Sequence, residues 1–134
     1  MSDFNKFNNF MKSLGLQEHN LSTDVLKIYL SNTLPVATNT KKSDVVGISE
    51  INGYSPVTIT SSWAETGGVS SLSGDNITIT ASGGSVGPFQ YVIMYNDTHS
   101  TDCLIGWWDY GSSYSISDGE DFEINFSDPI LSLS

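Results

Sequence analysis

The chain has no arginine, and its five lysines, Lys6, Lys12, Lys27, Lys41 and Lys42, all precede residue 43. Set against fifteen carboxylates, they leave a formal charge of −10. Acidic groups beyond Lys42 therefore have no lysine or arginine within their own stretch to pair with. They must be solvated, bind a cation, or face a basic surface on another molecule. Such a surface repels phosphate, which argues against nucleic acid or an anionic membrane as partner and favours attachment to a protein. The single cysteine, Cys103, excludes an internal disulfide. A structural zinc site usually takes several Cys or His ligands, so with only His19 and His99, far apart in sequence, the expectation is no metal and no cofactor. Long hydrophobic runs are also missing. Nowhere do eighteen apolar residues follow one another, and the opening Met-Ser-Asp-Phe-Asn-Lys-Phe has no apolar run behind positive charge. Neither a membrane span nor a secretion signal is expected, and synthesis in a cytoplasm follows. The Asn-X-Ser/Thr triplets at Asn20, Asn76, Asn96 and Asn125 are then chance products of an Asn/Ser/Thr-rich composition.

At 134 residues, 38% of them hydrophobic, the chain can bury one core. Its spacing predicts an all-β antiparallel sandwich or jelly-roll-like domain over residues 19–134, preceded by a helical arm over 1–18. In the arm, Phe4, Phe7, Met11 and Leu14 recur at intervals of three and four, giving a helix over 4–14 with Ser2 or Asp3 as N-cap and Gly15 as terminator. So short a helix must dock its apolar stripe on the body, a sister subunit or a partner. Beyond Gly15 the period changes to two. Leu26/Ile28/Leu30, Val57/Ile59, Ile77/Ile79 and Phe122/Ile124/Phe126 each alternate with polar or amphipathic neighbours, as half-buried strands do. Phe89 to Tyr95 is apolar on both faces and belongs in a central, doubly covered position, with Leu104 to Trp108 similar. Shorter strands are expected around Tyr114–Ile116 and Ile130–Leu133. Turn signals fall at Asn52-Gly53, Thr66-Gly67-Gly68, Ser73-Gly74-Asp75, Ser82-Gly83-Gly84, Asn96-Asp97, Tyr110-Gly111 and Asp118-Gly119.

Several blocks carry a resemblance. His19-Asn20-Leu21, Leu26-Lys27-Ile28, Leu30 to Pro35, Ala37 to Thr40, Asn52-Gly53-Tyr54, Thr80 to Phe89, Tyr95-Asn96-Asp97-Thr98 and Leu104 to Gly111 together resemble a family of small virion proteins of tailed bacteriophages. The likeness covers roughly residues 19 to 126, and its Gly-Pro-Phe and Tyr-Asn-Asp-Thr blocks are the most specific. It implies a non-enzymatic structural protein of the virion, with decoration or cementing of the head foremost, and it brings no catalytic residues with it. The expected partner is the major capsid protein or another virion protein, the location the capsid surface after assembly in the host cytoplasm. Three-fold lattice positions would favour a homotrimer. On this reading the N-terminal segment, which alone combines positive charge with aromatic anchors, is the docking element: Phe4, Phe7, Phe10, Met11, Lys41 and Lys42.

There is no Gly-X-Ser-X-Gly, and His99, in an acidic turn, reads as a solvated histidine more readily than as a general base. His19 precedes a strand and is expected to cap or pack there. Cys103 opens an apolar strand, as an inert buried thiol would. Asp97 with Asp102, and Asp118 to Glu123, invite a calcium reading, but neither holds the full Asp-X-Asp-X-Asp-Gly loop with a distal Glu. Trp107, Trp108, Tyr110, Trp63 and Tyr54 could stack on sugar rings in a tail- or fibre-associated module recognising host carbohydrate. Alternation along a strand sends Trp107 and Trp108 to opposite faces, so packing in the core or at a subunit contact competes with that role. An enzyme acting on cell-wall material would need two carboxylates at a set separation, which sequence cannot reveal.

Overall fold

The computed structural model describes residues 3–133. Its elements are β1 (Phe4–Lys6), α1 (Asn8–Gly15), β2 (Leu26–Ser31), β3 (Val57–Thr58), β4 (Ser61–Thr66), β5 (Val69–Gly74), β6 (Ile77–Thr80), β7 (Val86–Asn96), β8 (Leu104–Ile116), β9 (Asp121–Ile124) and β10 (Leu131–Leu133). The domain is an all-β antiparallel sandwich with one short N-terminal helix. A five-stranded sheet, ordered β1-β8-β7-β2-β3, shares one apolar core with a three-stranded sheet, β10-β5-β4, and a two-stranded sheet, β6-β9.

Period-two alternation accounts for most of this. On β7, Val92 and Met94 point into the inter-sheet core with Ile28 and Leu30 of β2, while Tyr91, Ile93 and Tyr95 enter a second cluster on the opposite face with Tyr29, Leu104 and Phe7. The β7 strand is therefore central and apolar on both sides, as its sequence requires. In the small sheet Ile77 faces Ile124 and Ile79 faces Phe122, and the buried side of that ribbon closes the sandwich.

Three features differ from expectation. The helix does not begin at residue 4: Phe4–Lys6 is an edge strand paired with Trp108, Trp107 and Gly106, and the helix starts at Asn8 behind Phe7, which takes the N-cap in extended geometry without a side-chain cap. Of the expected caps, Ser2 lies outside the described residues. At the other end Gln17, with φ 64°, takes the left-handed position expected of Gly15. Pairing with β8 outweighs helix spacing because Phe4 gains the face of Trp108 (ring centroids 5.0 Å) and Phe10 is fully buried in the core. Residues 4–15 are consequently built into the domain rather than standing off it. Second, Tyr110-Gly111 does not end a strand. β8 runs on to Ile116, and the register jumps from Tyr91↔Asp109 to Phe89↔Tyr114, so that Tyr110–Ser113 bulge outward. Gly111 adopts φ 85° there, with its N–H donated to Asp109 Oδ1 at 2.8 Å. Third, β4 and β5 form a hairpin across Gly67-Gly68 from serine-rich segments without clear alternation.

Among the described residues one ion pair occurs, Lys27 Nζ to Asp97 at 3.3 Å, so burial and backbone pairing hold the fold. No helix among them is long and apolar enough to cross a membrane.

Candidate functional site in the long loop

Residues 32–56 connect β2 to β3 with no regular structure beyond one 3-10 turn at Lys42–Asp44 and an isolated antiparallel bridge from Lys41 to Cys103. Loops of this length in a compact domain are commonly functional. This one is fastened by its backbone. Beyond β3 the open edge of β2 would leave Leu30 unpaired. Instead Leu30 O accepts the Ile48 N–H at 3.0 Å, and its own N–H is donated to the Tyr54 hydroxyl at 2.7 Å. Next to it, Ser31 Oγ donates to Val46 O at 2.5 Å and the Tyr29 hydroxyl to Val45 O at 2.8 Å. The loop thus covers an edge that would otherwise invite pairing with another chain. Burial pushes the Tyr54 phenol up to about 12 and raises Tyr29 and Tyr95 further.

The turn itself is organised by Asp44, whose Oδ2 accepts the N–H groups of Thr40 at 3.0 Å and Lys41 at 3.3 Å. The Thr40 N–H bond, ahead of the others, holds the Asp44 carboxyl below its ordinary value. Lys42 N–H donates to Asp102 O and Leu104 N–H to Thr40 O, which ties the turn to the start of β8. Lys42 Nζ stands 5.2 Å from the ring centres of both Tyr29 and Tyr95. Between the loop and the β7–β8 connection lies a cleft of about 610 Å³, lined by Tyr29, Lys41, Lys42, Ile48, Tyr54 and Asp102 among others. Four large apolar side chains of the loop stand in solvent among its polar ones: Leu34, Val36, Val46 and Ile51 are 65%, 53%, 67% and 54% exposed.

The structure divides the residues expected to bind a partner. Phe7 and Phe10 are buried, Phe7 against Trp107 (centroids 4.6 Å), and Phe4 is half-buried over Trp108. These three rings are core components, not surface anchors, which corrects the expectation. Lys41 and Met11 are exposed and Lys42 is half-buried under its cation–π contacts. The apolar residues of the loop were not singled out from sequence. The available signal was a scatter of apolar residues between Leu34 and Ile51 that obeys neither helix nor strand period.

The aromatic candidates form no shared platform. Trp108 and Tyr54 are buried, Trp107 packs in the second cluster on the opposite face from Trp108, and Trp63 and Tyr110 pack against the main core. Four of the carboxylates suggested for calcium are engaged separately: Asp97 with Lys27, Asp118 with Gly83 N–H, Asp121 with Thr80 Oγ1, and Glu120 with Ser117 N–H. His19 is buried. Asn96 Nδ2 donates to its Nδ1 at 3.0 Å and to Asp24 Oδ2 at 2.7 Å, which leaves the buried His19 Nε2 without a partner. Burial, then the neighbouring His99, lowers its pKa. Asn96 Oδ1 accepts the backbone N–H groups of Thr98 and His99, which fixes the backbone of the turn, and the His99 ring is half-buried. Cys103 is 5% exposed, and burial pushes its thiol up, against a nucleophilic role. Against family models, characterised proteins and solved structures, the chain finds no match.

Proposed function

We propose that this protein is a non-enzymatic structural component of a tailed-bacteriophage virion that decorates or cements the head, docking on the capsid lattice through the 32–56 loop and acting as a homo-oligomer, with a trimer favoured. The observation that carries the reading is the exposure of apolar side chains along that loop. Leu34, Val36, Val46 and Ile51 all stand in water on a chain whose formal net charge is −10. Burying these side chains against a partner is favourable, and Lys41 in the same loop offers a positive charge to an acidic partner group. The resemblance of residues 19 to 126 to small virion proteins supports the same reading, and the laced backbone lowers the ordering cost of binding through this loop.

Co-sedimentation of purified protein with undecorated heads tests it. The parent should saturate a fixed number of sites, and Val46→Ser with Ile51→Ser, or Lys41→Glu, should weaken binding at least about tenfold while leaving the far-UV spectrum unchanged. Unchanged binding by these variants would remove the loop from the interface. Binding to tails alone would remove the head. Deleting residues 1–14 does not test docking, because Phe7 and Phe10 leave the core with the deletion.

A further inference from the structure

Three metal-capable side chains meet on the far side of the β7–β8 connection, drawn from separate parts of the chain. Glu18 follows α1, His99 lies in the turn after β7, and Cys103 directly precedes β8. One donor atom from each lies within 4.8 Å of the other two. Cys103 Sγ is 3.4 Å from His99 Nδ1 and 3.8 Å from a Glu18 carboxylate oxygen. Around a tetrahedral zinc-type ion, bond lengths of about 2.3 Å to sulfur and about 2.0–2.1 Å to nitrogen or oxygen place neighbouring donors about 3.6 Å apart. Two of the three edges therefore already have the spacing of a coordination polyhedron.

We propose that Glu18, His99 and Cys103 bind a borderline-soft divalent cation of the zinc class, clipping the α1–β2 connection to the β7–β8 turn. Two further observations bear on this. The Thr101 backbone N–H donates to His99 Nδ1 at 3.2 Å, which makes that nitrogen the unprotonated one; a metal there takes over the lone pair that this hydrogen bond now uses. Thr101 Oγ1 lies 3.0 Å from the same nitrogen and 3.7 Å from the sulfur; it marks where the donors converge, and as an exposed rotor it can turn aside. Charge points the same way. Glu18 is half-buried without a lysine, the only ion pair among the described residues being Lys27–Asp97. A thiolate, a carboxylate and an imidazole suit zinc or cobalt better than calcium or magnesium. On binding, Cys103 gives its thiol proton to solvent as the sulfur–metal bond forms, and water takes the fourth position.

The test is titration of the full chain, freed of metal by chelator, with Co²⁺ and then Zn²⁺. The expected result is one equivalent of Co²⁺ giving a near-ultraviolet sulfur-to-cobalt charge-transfer band, displaced by Zn²⁺, with slower alkylation of Cys103 in the loaded protein. Cys103→Ser should lose the band. Glu18→Gln and His99→Gln, both at partly exposed positions, should weaken binding at least about tenfold, since even outer-shell partners are commonly worth that much. These two variants decide the matter if Cys103→Ser fails to fold. Absence of the band in the parent overturns the proposal, as does equal affinity in the parent and both glutamine variants, which would mean adventitious binding to surface carboxylates. Neither outcome depends on head binding, so this site and the docking loop stand or fall separately.

Discussion

Replacing Tyr54 with Phe removes one oxygen atom and keeps the ring. The hydroxyl accepts the Leu30 N–H at 2.7 Å, both groups are buried, and β3 has already ended at that point of the β2 edge. Because the phenyl ring still fills its place, the packing contribution changes little. What remains is a buried backbone donor without an acceptor, which costs about 1–3 kcal/mol. With an unfolding entropy of about 2.1 cal/mol/K per residue over a chain of this length, that cost lowers the melting temperature by about 4–11 °C. Circular dichroism melts measure the shift, and amide exchange locates it: the Leu30 amide should lose protection first, followed by Ile48, whose N–H is fastened to the same residue. A fall below about 2 °C with an equally protected Leu30 amide would refute the reasoning, since the donor would then have found another acceptor.

Gly106→Ala should detach the first strand. A Cβ there would overlap the Phe4 ring and lie 2.6 Å from Asn5 O, and the backbone carbonyl cannot swing away as a side-chain tip can. Overpacking of this kind costs about 1–3 kcal/mol, and faster amide exchange confined to β1 and its β8 partners would show it; unchanged exchange would mean that the strand shifts without loss. Asp44 should supply a small acid-sensitive contribution. Its folded-state pKa is depressed, so its stabilisation is present above the ordinary value of 3.8 and is lost as pH falls through the lower folded value. The exposed position keeps the effect small. Urea midpoints followed from about pH 5 to about pH 2 should fall less steeply in Asp44→Asn than in the parent; parallel curves would contradict the assignment.

Alternation made much of the sandwich readable. Ile77/Ile79 and Phe122/Ile124 announce two strands whose buried faces meet in register, and the two-sided apolar run of β7 correctly implies a central position. The β4–β5 hairpin was less readable because Leu72 alone among its residues is fully buried, leaving the glycine pair as its only mark. The start of the chain was less legible because the three-and-four spacing of Phe4, Phe7, Met11 and Leu14 is equally compatible with a strand followed by a helix. The deciding fact, a glycine at 106 that leaves room for Phe4, lies a hundred residues away. The Glu18–Cys103 contact spans 85 positions, beyond any local pattern. Loop residues such as Val46 and Ile51 were invisible as a patch because their exposure depends on where the backbone is laced, which periodicity does not encode.

Lys27–Asp97, the one ion pair among the described residues and set between partly exposed side chains, has a consequence for how the molecule meets brine. Sodium chloride finds almost no attraction to erase here and a surplus of mutual repulsion to mute, so concentrated electrolyte tightens the folded chain. Near pH 4.1, where net charge vanishes, neighbouring copies lose what keeps them apart, and colloidal solubility gives way before the β-core does.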